Sequence, residues 1–163
     1  MREVLQELLA AYRAGEPVTM ATVVRTWKSA PRPAGAAMLV TSGHEAVGSV
    51  SGGCVEGALF DVGLEILDNG VPQYRKYGIS DDEAFGVGLT CGGIIEVFAE
   101  RVDTVTWPEL EGVAASVEAE EAVAIAAIVT APDDVAERIG RHLVIRPSGC
   151  EGSLGTERLD DTV

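Results

Sequence analysis

The sequence predicts an α/β domain in which a layered mixed β-sheet is flanked by helices. Two observations support this prediction. Apolar residues recur with helical period before Gly15 and again between Val55 and Ile66, whereas residues 18–24 form a β-branched run with little polar interruption. Such a run is typical of a strand covered on both faces, which requires helices packed on the sheet. The chain has 163 residues, of which 47% are hydrophobic, and this suits one ordinary globular domain.

The helices of the first hundred residues are predicted from periodicity and from glycine stops, and the strands from apolar runs between turns. Gly15 and the Asn-Gly pair at 69–70 end the two long helices. The predicted elements are, in order, a helix at 2–14, strands at 18–24, 38–40 and 46–50, a helix at 55–66, a strand at 74–79, a short acidic helix after Ser80 and a strand at 94–99.

The remainder of the chain resembles the beginning. Residues 16–24 align with residues 121–129 at an offset of 105, and Gly35 aligns with Gly140 at the same offset. A helix candidate near 110–120 precedes the second run, as the first helix precedes the first run. The simplest interpretation is a duplicated helix–strand–loop–strand–strand unit, and the alternative is chance similarity between apolar strands.

This repeat predicts the domain organisation. We expect a single domain over residues 1–163, with residues 1–103 as the motif-bearing half and residues 108–163 as a degenerate second copy. The second copy has no Gly-Gly-Cys segment.

Charge and cysteine content exclude several classes of protein. The 12 Lys and Arg residues against 26 Asp and Glu residues give a net charge of −14, which repels phosphate backbones and anionic membranes. No apolar run reaches the ~20 residues of a membrane span, so we expect a soluble cytoplasmic protein that binds no nucleic acid. Three widely spaced cysteines, Cys54, Cys91 and Cys150, do not form the framework of a small secreted protein.

The most informative segment is Ser-Gly-Gly-Cys-Val-Glu at residues 51–56. A glycine turn at a helix start exposes N–H groups that have no intrahelical acceptor, so Gly52 and Gly53 predict an anion cradle shaped also by Ser51. Cys54 would lie at the same helix end, where the helix dipole favours the thiolate. Glu56 would oppose both effects. The alternative is a tight turn beside a small buried cysteine.

A second glycine cluster, residues 86–93, ends in Thr-Cys-Gly-Gly. Its spacing is one residue longer than a dinucleotide fingerprint, and it leads into a strand instead of a helix. Gly92 and Gly93 therefore predict close approach of the backbone to a ligand beside Cys91, and the alternative is a sharp strand entry with an inert cysteine.

Other catalytic and metal motifs are missing from the sequence. There is no Gly-x-Ser-x-Gly elbow, phosphate-binding loop or zinc-ligand spacing, so we expect neither a catalytic residue nor a metal site. Arg32, which lies between two prolines, can reach a phosphate or a carboxylate, although a solvated loop arginine is the commoner outcome. His44 is expected in a turn, and His142 at the start of a strand.

Taken together, these motifs resemble the XdhC/CoxI family of xanthine dehydrogenase accessory proteins. The resemblance covers about the first hundred residues. It rests on Ala-Pro-Arg at 30–32, on residues 48–56, and on Tyr-Gly-Ile-Ser-Asp at 77–81 followed by residues 88–93. Fuller members of that family add a C-terminal Rossmann-like domain, and no such domain is expected within these 163 residues.

The resemblance implies a non-enzymatic chaperone for the molybdenum cofactor. Such a protein binds the cofactor transiently, protects it, supports its sulfuration with a cysteine desulfurase, and delivers it to a molybdenum hydroxylase client of the xanthine dehydrogenase or CO dehydrogenase type. A homodimer is also implied. The implied cofactor contacts are Cys54 first and Cys91 second, with Ser51, Gly52, Gly53, Gly92 and Gly93 around them and Arg32 toward the phosphate.

Two alternatives from other classes stay open. One is a thiol-redox or persulfide-transfer protein in which Cys54 is the nucleophile and Cys91 resolves it. The other is a module that serves mainly for docking or dimerisation.

Overall fold

A computed structural model describes residues 1–78 and 92–163 of the chain. These residues form two compact units, Met1–Asp103 and Thr104–Val163. The elements of the first unit are a 3₁₀ turn at Arg2–Val4, α1 (Leu5–Ala14), β1 (Val18–Trp27), β2 (Ala37–Thr41), β3 (Ala46–Gly48), α2 (Glu56–Asn69), β4 (Gln73–Tyr77) and β5 (Ile94–Val102). Those of the second unit are α3 (Leu110–Glu118), β6 (Ala124–Ala127), a 3₁₀ segment at Asp133–Arg138, β7 (His142–Arg146), β8 (Gly149–Gly152) and α4 (Glu157–Asp160).

The predicted helix stops and strand positions of the first unit are confirmed. Gly15 and Gly70 adopt left-handed backbone conformations at the ends of α1 and α2, which lets the last turn of each helix close. β1 is buried over its first four residues, as expected of a strand covered on both faces. His44 lies in a turn, and His142 begins β7. The short helix expected after Ser80 lies outside the described residues.

The first unit is built on a five-stranded sheet with the order β3-β2-β1-β5-β4. The predicted α/β class is confirmed, but the expected mixed sheet is wrong, because every strand pair among the described residues is antiparallel. The reason is connectivity. Loops without a helix join β1 to β2 and β2 to β3, whereas the crossover through α2 joins the two edge strands, which do not pair.

Helix α2 packs closely on one face of this sheet. Leu59 and Ile66 of the helix are buried in one apolar cluster with residues of β1, β2 and β5. The hydroxyl of Thr19 donates a hydrogen bond of 2.7 Å to the carbonyl of Gly63. A Cβ atom at Gly63 would lie only 2.6 Å from Cγ2 of Val40, so glycine is required at this crossing. The middle of α2 is therefore held firmly against the sheet.

The second unit contains a three-stranded antiparallel sheet with the order β6-β7-β8. In the first unit Met20 pairs with Leu39, and in the second unit Ile125 pairs with Val144, each residue 105 positions further along the chain. These registers agree with the predicted repeat.

No helix within residues 1–78 and 92–163 is both long and apolar enough to cross a membrane.

Candidate functional site

The topology brings the sequence motifs of the first unit to one end of its sheet. Because all pairs are antiparallel in the order β3-β2-β1-β5-β4, strands β1, β3 and β4 run in the same direction and finish at the same end. The chain leaves the sheet there into residues 28–36, into residues 49–55, and into a third connection, of which the structure describes Gly78, Gly92 and Gly93. These three connections contain every site residue predicted from the sequence. We call this end of the sheet the motif end.

The loop between β3 and α2 is organised around the carboxylate of Glu56. One oxygen accepts hydrogen bonds from the Ser49 hydroxyl at 2.7 Å and from the N–H groups of Val50 and Ser51 at 3.1 and 2.9 Å. The other oxygen accepts from the Ser51 hydroxyl and from the N–H groups of Gly53 and Val55. We call this arrangement the Glu56 clamp, because one side chain at the start of α2 binds the loop along its length.

The clamp changes the acidity of Glu56. Burial raises the pKa of this carboxyl, but the hydrogen bonds from Ser51, Ser49 and the backbone outweigh burial and lower the pKa from its ordinary value of 4.5 to about 2. Glu56 is therefore ionised at neutral pH, and its negative charge lies inside the loop.

The clamp also corrects the expected anion cradle. The N–H group of Gly53 donates to Glu56 at 2.8 Å, and that of Gly52 donates to the Ser49 hydroxyl at 2.9 Å. The prediction that these two amides offer themselves to an anionic ligand is wrong, because acceptors within the loop already occupy them. Both glycines nevertheless have positive φ, and among the described residues no non-neighbouring atom lies within 4 Å of a Cβ position at either glycine. The turn thus presents open backbone that a ligand can approach.

Ser51 acts inside the loop. It is 1% exposed, and its hydroxyl oxygen accepts hydrogen bonds of 3.0 Å from the N–H groups of both Cys54 and Val55. Ser51 therefore orients the backbone that carries the cysteine.

Cys54 is half-buried two residues before α2 and packs against the edge of the apolar core. Ala30, from the loop that follows β1, packs against the same core cluster. Cys150 is instead exposed on β8 of the second unit. Cys91, the second predicted cofactor contact, lies outside the described residues. Within the two described ranges, no three His, Cys, Asp or Glu side chains are grouped as metal ligands.

Gly92 and Gly93 behave differently from each other. A Cβ atom at Gly93 would lie 2.8 Å from the carbonyl oxygen of Ser29 and 2.9 Å from the backbone of Ala30. Close approach does occur at Gly93, but to the neighbouring loop of this chain. Gly92 has a φ of +72°, and none of the described residues beyond its chain neighbours places an atom within 4 Å of its Cβ position. The Gly92-Gly93 segment therefore meets the β1–β2 loop at the motif end.

Arg32 is paired with an acidic side chain of the same chain, Glu3. Its guanidinium forms an ion pair with Glu3 of the 3₁₀ turn, and its Nε is buried with no hydrogen-bond partner among the described atoms. Pairing with Glu3 weakens the case for Arg32 as the main phosphate contact.

Sequence reasoning missed a group of side chains near the motif end. The guanidinium of Arg25 lies 5.4 Å from the centre of the Trp27 ring, and the Lys76 ammonium lies 5.6 Å from it. Both distances are within the range of cation–π attraction. The alternation of Arg25 and Trp27 along β1 was visible in the sequence, but Lys76 comes from β4, about fifty residues later. We call these three residues the basic-aromatic patch.

A buried acid lies beside this patch. Glu96 of β5 is 8% exposed and accepts a hydrogen bond from the Tyr74 hydroxyl. Burial, this hydrogen bond and the charge of Glu96 raise the pKa of Tyr74 to about 12, so the phenol stays protonated as a donor.

The first unit is thus defined as an α/β domain with a carboxylate-clamped glycine–cysteine loop at one end of an antiparallel sheet. Residues 11–78, which include this loop, match the XdhC and CoxI family. This part of the chain is therefore similar to that family.

Individual relatives agree with this assignment. A Bacillus subtilis (strain 168) protein, named as a probable xanthine dehydrogenase subunit, is 37% identical over 91 residues, covering 53% of this chain and 27% of that protein. The "Molybdenum cofactor insertion chaperone PaoD" of Escherichia coli (strain K12) is 35% identical over 101 residues, covering 62% of this chain and 31% of that protein.

A solved structure also resembles the chain. It is described as a xanthine dehydrogenase from Bacillus halodurans, with a TM-score of 0.72 and 26% identity, and the match covers 91% of this chain and 44% of that one. The chain therefore spans less than a third of the two sequence relatives and less than half of the structural neighbour.

Proposed function

We propose that this chain is an accessory protein that binds the molybdenum cofactor at the motif end of its first unit, without catalytic turnover of its own. The observation that carries the proposal is the Glu56 clamp beside Cys54. It fixes a loop that presents a half-buried thiol next to the open backbone of Gly52 and Gly53. The similarity to a cofactor insertion chaperone supports the same role.

The residues at the motif end suit the chemistry of this cofactor. A pterin-bound molybdenum centre is rich in sulfur, and thiols are soft ligands for such a centre, so Cys54 is the proposed contact. As far as the described parts of the chain show, the space beside Gly52, Gly53 and Gly92 is open, which suits a bulky ligand. When bound, the cofactor supplies redox chemistry to a client enzyme, while this chain's own residues only bind, orient and shield it.

The finer steps belong to the same proposal. We propose that binding is transient, that the chain supports sulfuration of the cofactor with a cysteine desulfurase, and that it delivers the cofactor to a molybdenum hydroxylase. Ser51 would act through the loop backbone, and Cys91 and Gly93 remain proposed neighbours of the ligand. A homodimer in the cytoplasm is proposed as the working form.

The test is cofactor retention. The protein is purified anaerobically from a host supplied with molybdate, and bound pterin is converted to its fluorescent oxidation product and quantified. Wild type is expected to carry reproducible, substoichiometric pterin, and Cys54→Ala to lose most of it. Cys150→Ala, which removes an exposed cysteine of the second unit, is the matched control and is expected to retain pterin. Absence of pterin from wild type, even after addition of released cofactor, would refute the proposal.

A further inference from the structure

We infer that the basic-aromatic patch of Arg25, Trp27 and Lys76 binds the phosphate-bearing end of the cofactor. This inference rests on the proposed function and extends it, because it assigns a phosphate subsite to residues outside the glycine–cysteine loop. The patch would take a ligand that combines an anionic group with a flat ring.

Strand register places the two cations on one face of the sheet. Glu96 of β5 pairs with Arg25 of β1 on one side and with Lys76 of β4 on the other. Residues that are directly opposite one another across antiparallel strands project to the same face. Trp27 pairs with Ile94, the first residue of β5, so the patch reaches the motif end where the three connections leave the sheet.

The cations of the patch differ from three other arginines of the described residues. Arg32, Arg101 and Arg146 each form an ion pair with a carboxylate. In the described parts of the chain, Arg25 and Lys76 instead lie over the Trp27 ring. A cation that is held by an aromatic ring keeps its charge available to an anion, which a cation neutralised by a carboxylate does not.

The net charge of the protein makes such a local site necessary. At −14, the chain as a whole repels an anionic cofactor, so binding requires a place where positive charge is concentrated. Glu96 is the acid that faces this patch and opposes an anion. Its carboxylate is 8% exposed and accepts a hydrogen bond from the Tyr74 hydroxyl, so its charge is partly compensated.

The Trp27 ring gives the patch its second property. Trp27 is 38% exposed at the end of β1, beyond the buried first half of the strand. The exposed part of the indole adds apolar surface beside the two cations, which contact the phosphate. The loop amides cannot do this, because Glu56 and Ser49 already accept from them.

The experiment uses the fluorescent oxidation product of the cofactor pterin as the probe, with its phosphate and after phosphatase treatment. Binding of both forms to the full chain is followed by fluorescence anisotropy. Wild type is expected to bind the phosphorylated form about tenfold more tightly than the dephosphorylated form. The double variant Arg25→Ala/Lys76→Ala is expected to bind both forms equally. Arg75→Ala, an exposed neighbour on β4 that bonds Gln73, is the control and should keep the preference.

Each outcome decides the inference. A preference for phosphate that is lost only in the double variant supports it, provided that thermal unfolding shows all variants folded. A preference that survives in the double variant overturns it, as does equal binding of the two forms by wild type. Either of these failures leaves the proposed function standing if wild type retains pterin on purification, so the two proposals fail separately.

Discussion

At the scale of single residues, Glu56 decides the shape of the candidate site. Its carboxylate accepts hydrogen bonds from both serine hydroxyls of the loop and from four backbone N–H groups along it. A loop held only by water would sample many conformations, whereas a loop held by one charged acceptor has a single preferred path. Cys54 follows that path and is therefore presented in a fixed position.

We predict that the Glu56 clamp makes stability depend on acid pH. The pKa of Glu56 is about 2 in the folded chain and near 4.5 when the chain unfolds, so its contribution is complete above pH 4.5 and is lost as pH falls toward 2. Glu56→Gln should lower the free energy of unfolding at neutral pH by about 1.5–3 kcal/mol. It should also flatten the dependence on pH in that window.

Urea unfolding at a series of pH values from neutral toward 2 measures both the loss of free energy of unfolding and its dependence on pH. Glu65→Gln, an exposed glutamate of the same helix, is the matched control and should leave the curve close to wild type. If Glu56→Gln and wild type lost stability in parallel below pH 4.5, the clamp would not contribute as described.

At the scale of elements, helix α2 connects the clamp to the sheet. The helix begins at Glu56, and about two turns later Gly63 crosses β2 so closely that a Cβ atom would meet Val40 at 2.6 Å. The position of the loop between β3 and α2 thus depends on the contact of Gly63 with Val40, about two helical turns away.

Two glycine substitutions in α2 should have opposite effects. Gly57→Ala, where no atom lies within 4 Å of the Cβ position, should raise the free energy of unfolding by up to about 1 kcal/mol through helix propensity. Gly63→Ala should lower it by about 1–3 kcal/mol, because overpacking against Val40 exceeds the same gain in propensity. Thermal unfolding of the two variants measures the difference. Equal stabilisation by both would contradict the close crossing.

Equivalent glycines and equivalent hydrogen bonds in the two units support a proposed duplication of the helix and three-stranded meander. Gly48 and Gly152 both have a φ of +87°, and a Cβ atom at either would lie within 2.6 Å of a carbonyl oxygen on the neighbouring strand. Asp160 also accepts hydrogen bonds from Ser153 and Leu154, as Glu56 does from the corresponding residues of the first unit. We propose that the second unit keeps this scaffold without the glycine–cysteine segment.

The proposed duplication predicts equivalent costs at the two glycines. Gly48→Ala and Gly152→Ala should each lower stability by about 3 kcal/mol or more, through backbone strain combined with a clash. Gly70→Ala has a similar φ of +71° but open space, so it should cost only about 1–2 kcal/mol. Hydrogen exchange of each unit measures the effects. A cost at Gly152 no larger than that at Gly70 would contradict the equivalence.

Local sequence signals predicted the elements well but not the site contacts. The helical period of apolar residues predicted the two long helices, and Gly15 and Gly70 predicted their ends. These features could be predicted because they depend only on residues close together in the sequence. The Glu56 clamp was not predicted. From the sequence, Glu56 was interpreted only as a negative charge that would repel an anionic ligand. In the folded chain its carboxylate instead accepts hydrogen bonds from the residues of the loop. The basic-aromatic patch was missed because only strand pairing across β5 brings Lys76 to Trp27.

At the scale of the whole molecule, charge distribution limits what the chain can bind. A net charge of −14 is unfavourable for an anionic ligand everywhere except where cations concentrate. We propose binding at the motif end of the first unit, because the thiol of Cys54 and the cations of the basic-aromatic patch belong to the same compact unit. The second unit has an exposed cysteine but lacks the Gly-Gly-Cys segment of the first unit.

The most direct test of the central claim is equilibrium binding of released molybdenum cofactor to the purified chain under anaerobic conditions. We predict saturable binding by wild type, at least about tenfold weaker binding by Cys54→Ser, and unchanged binding by Cys150→Ser. Identical affinities for all three proteins would contradict a thiol site at the motif end, and no measurable binding by wild type would contradict the cofactor-binding role itself.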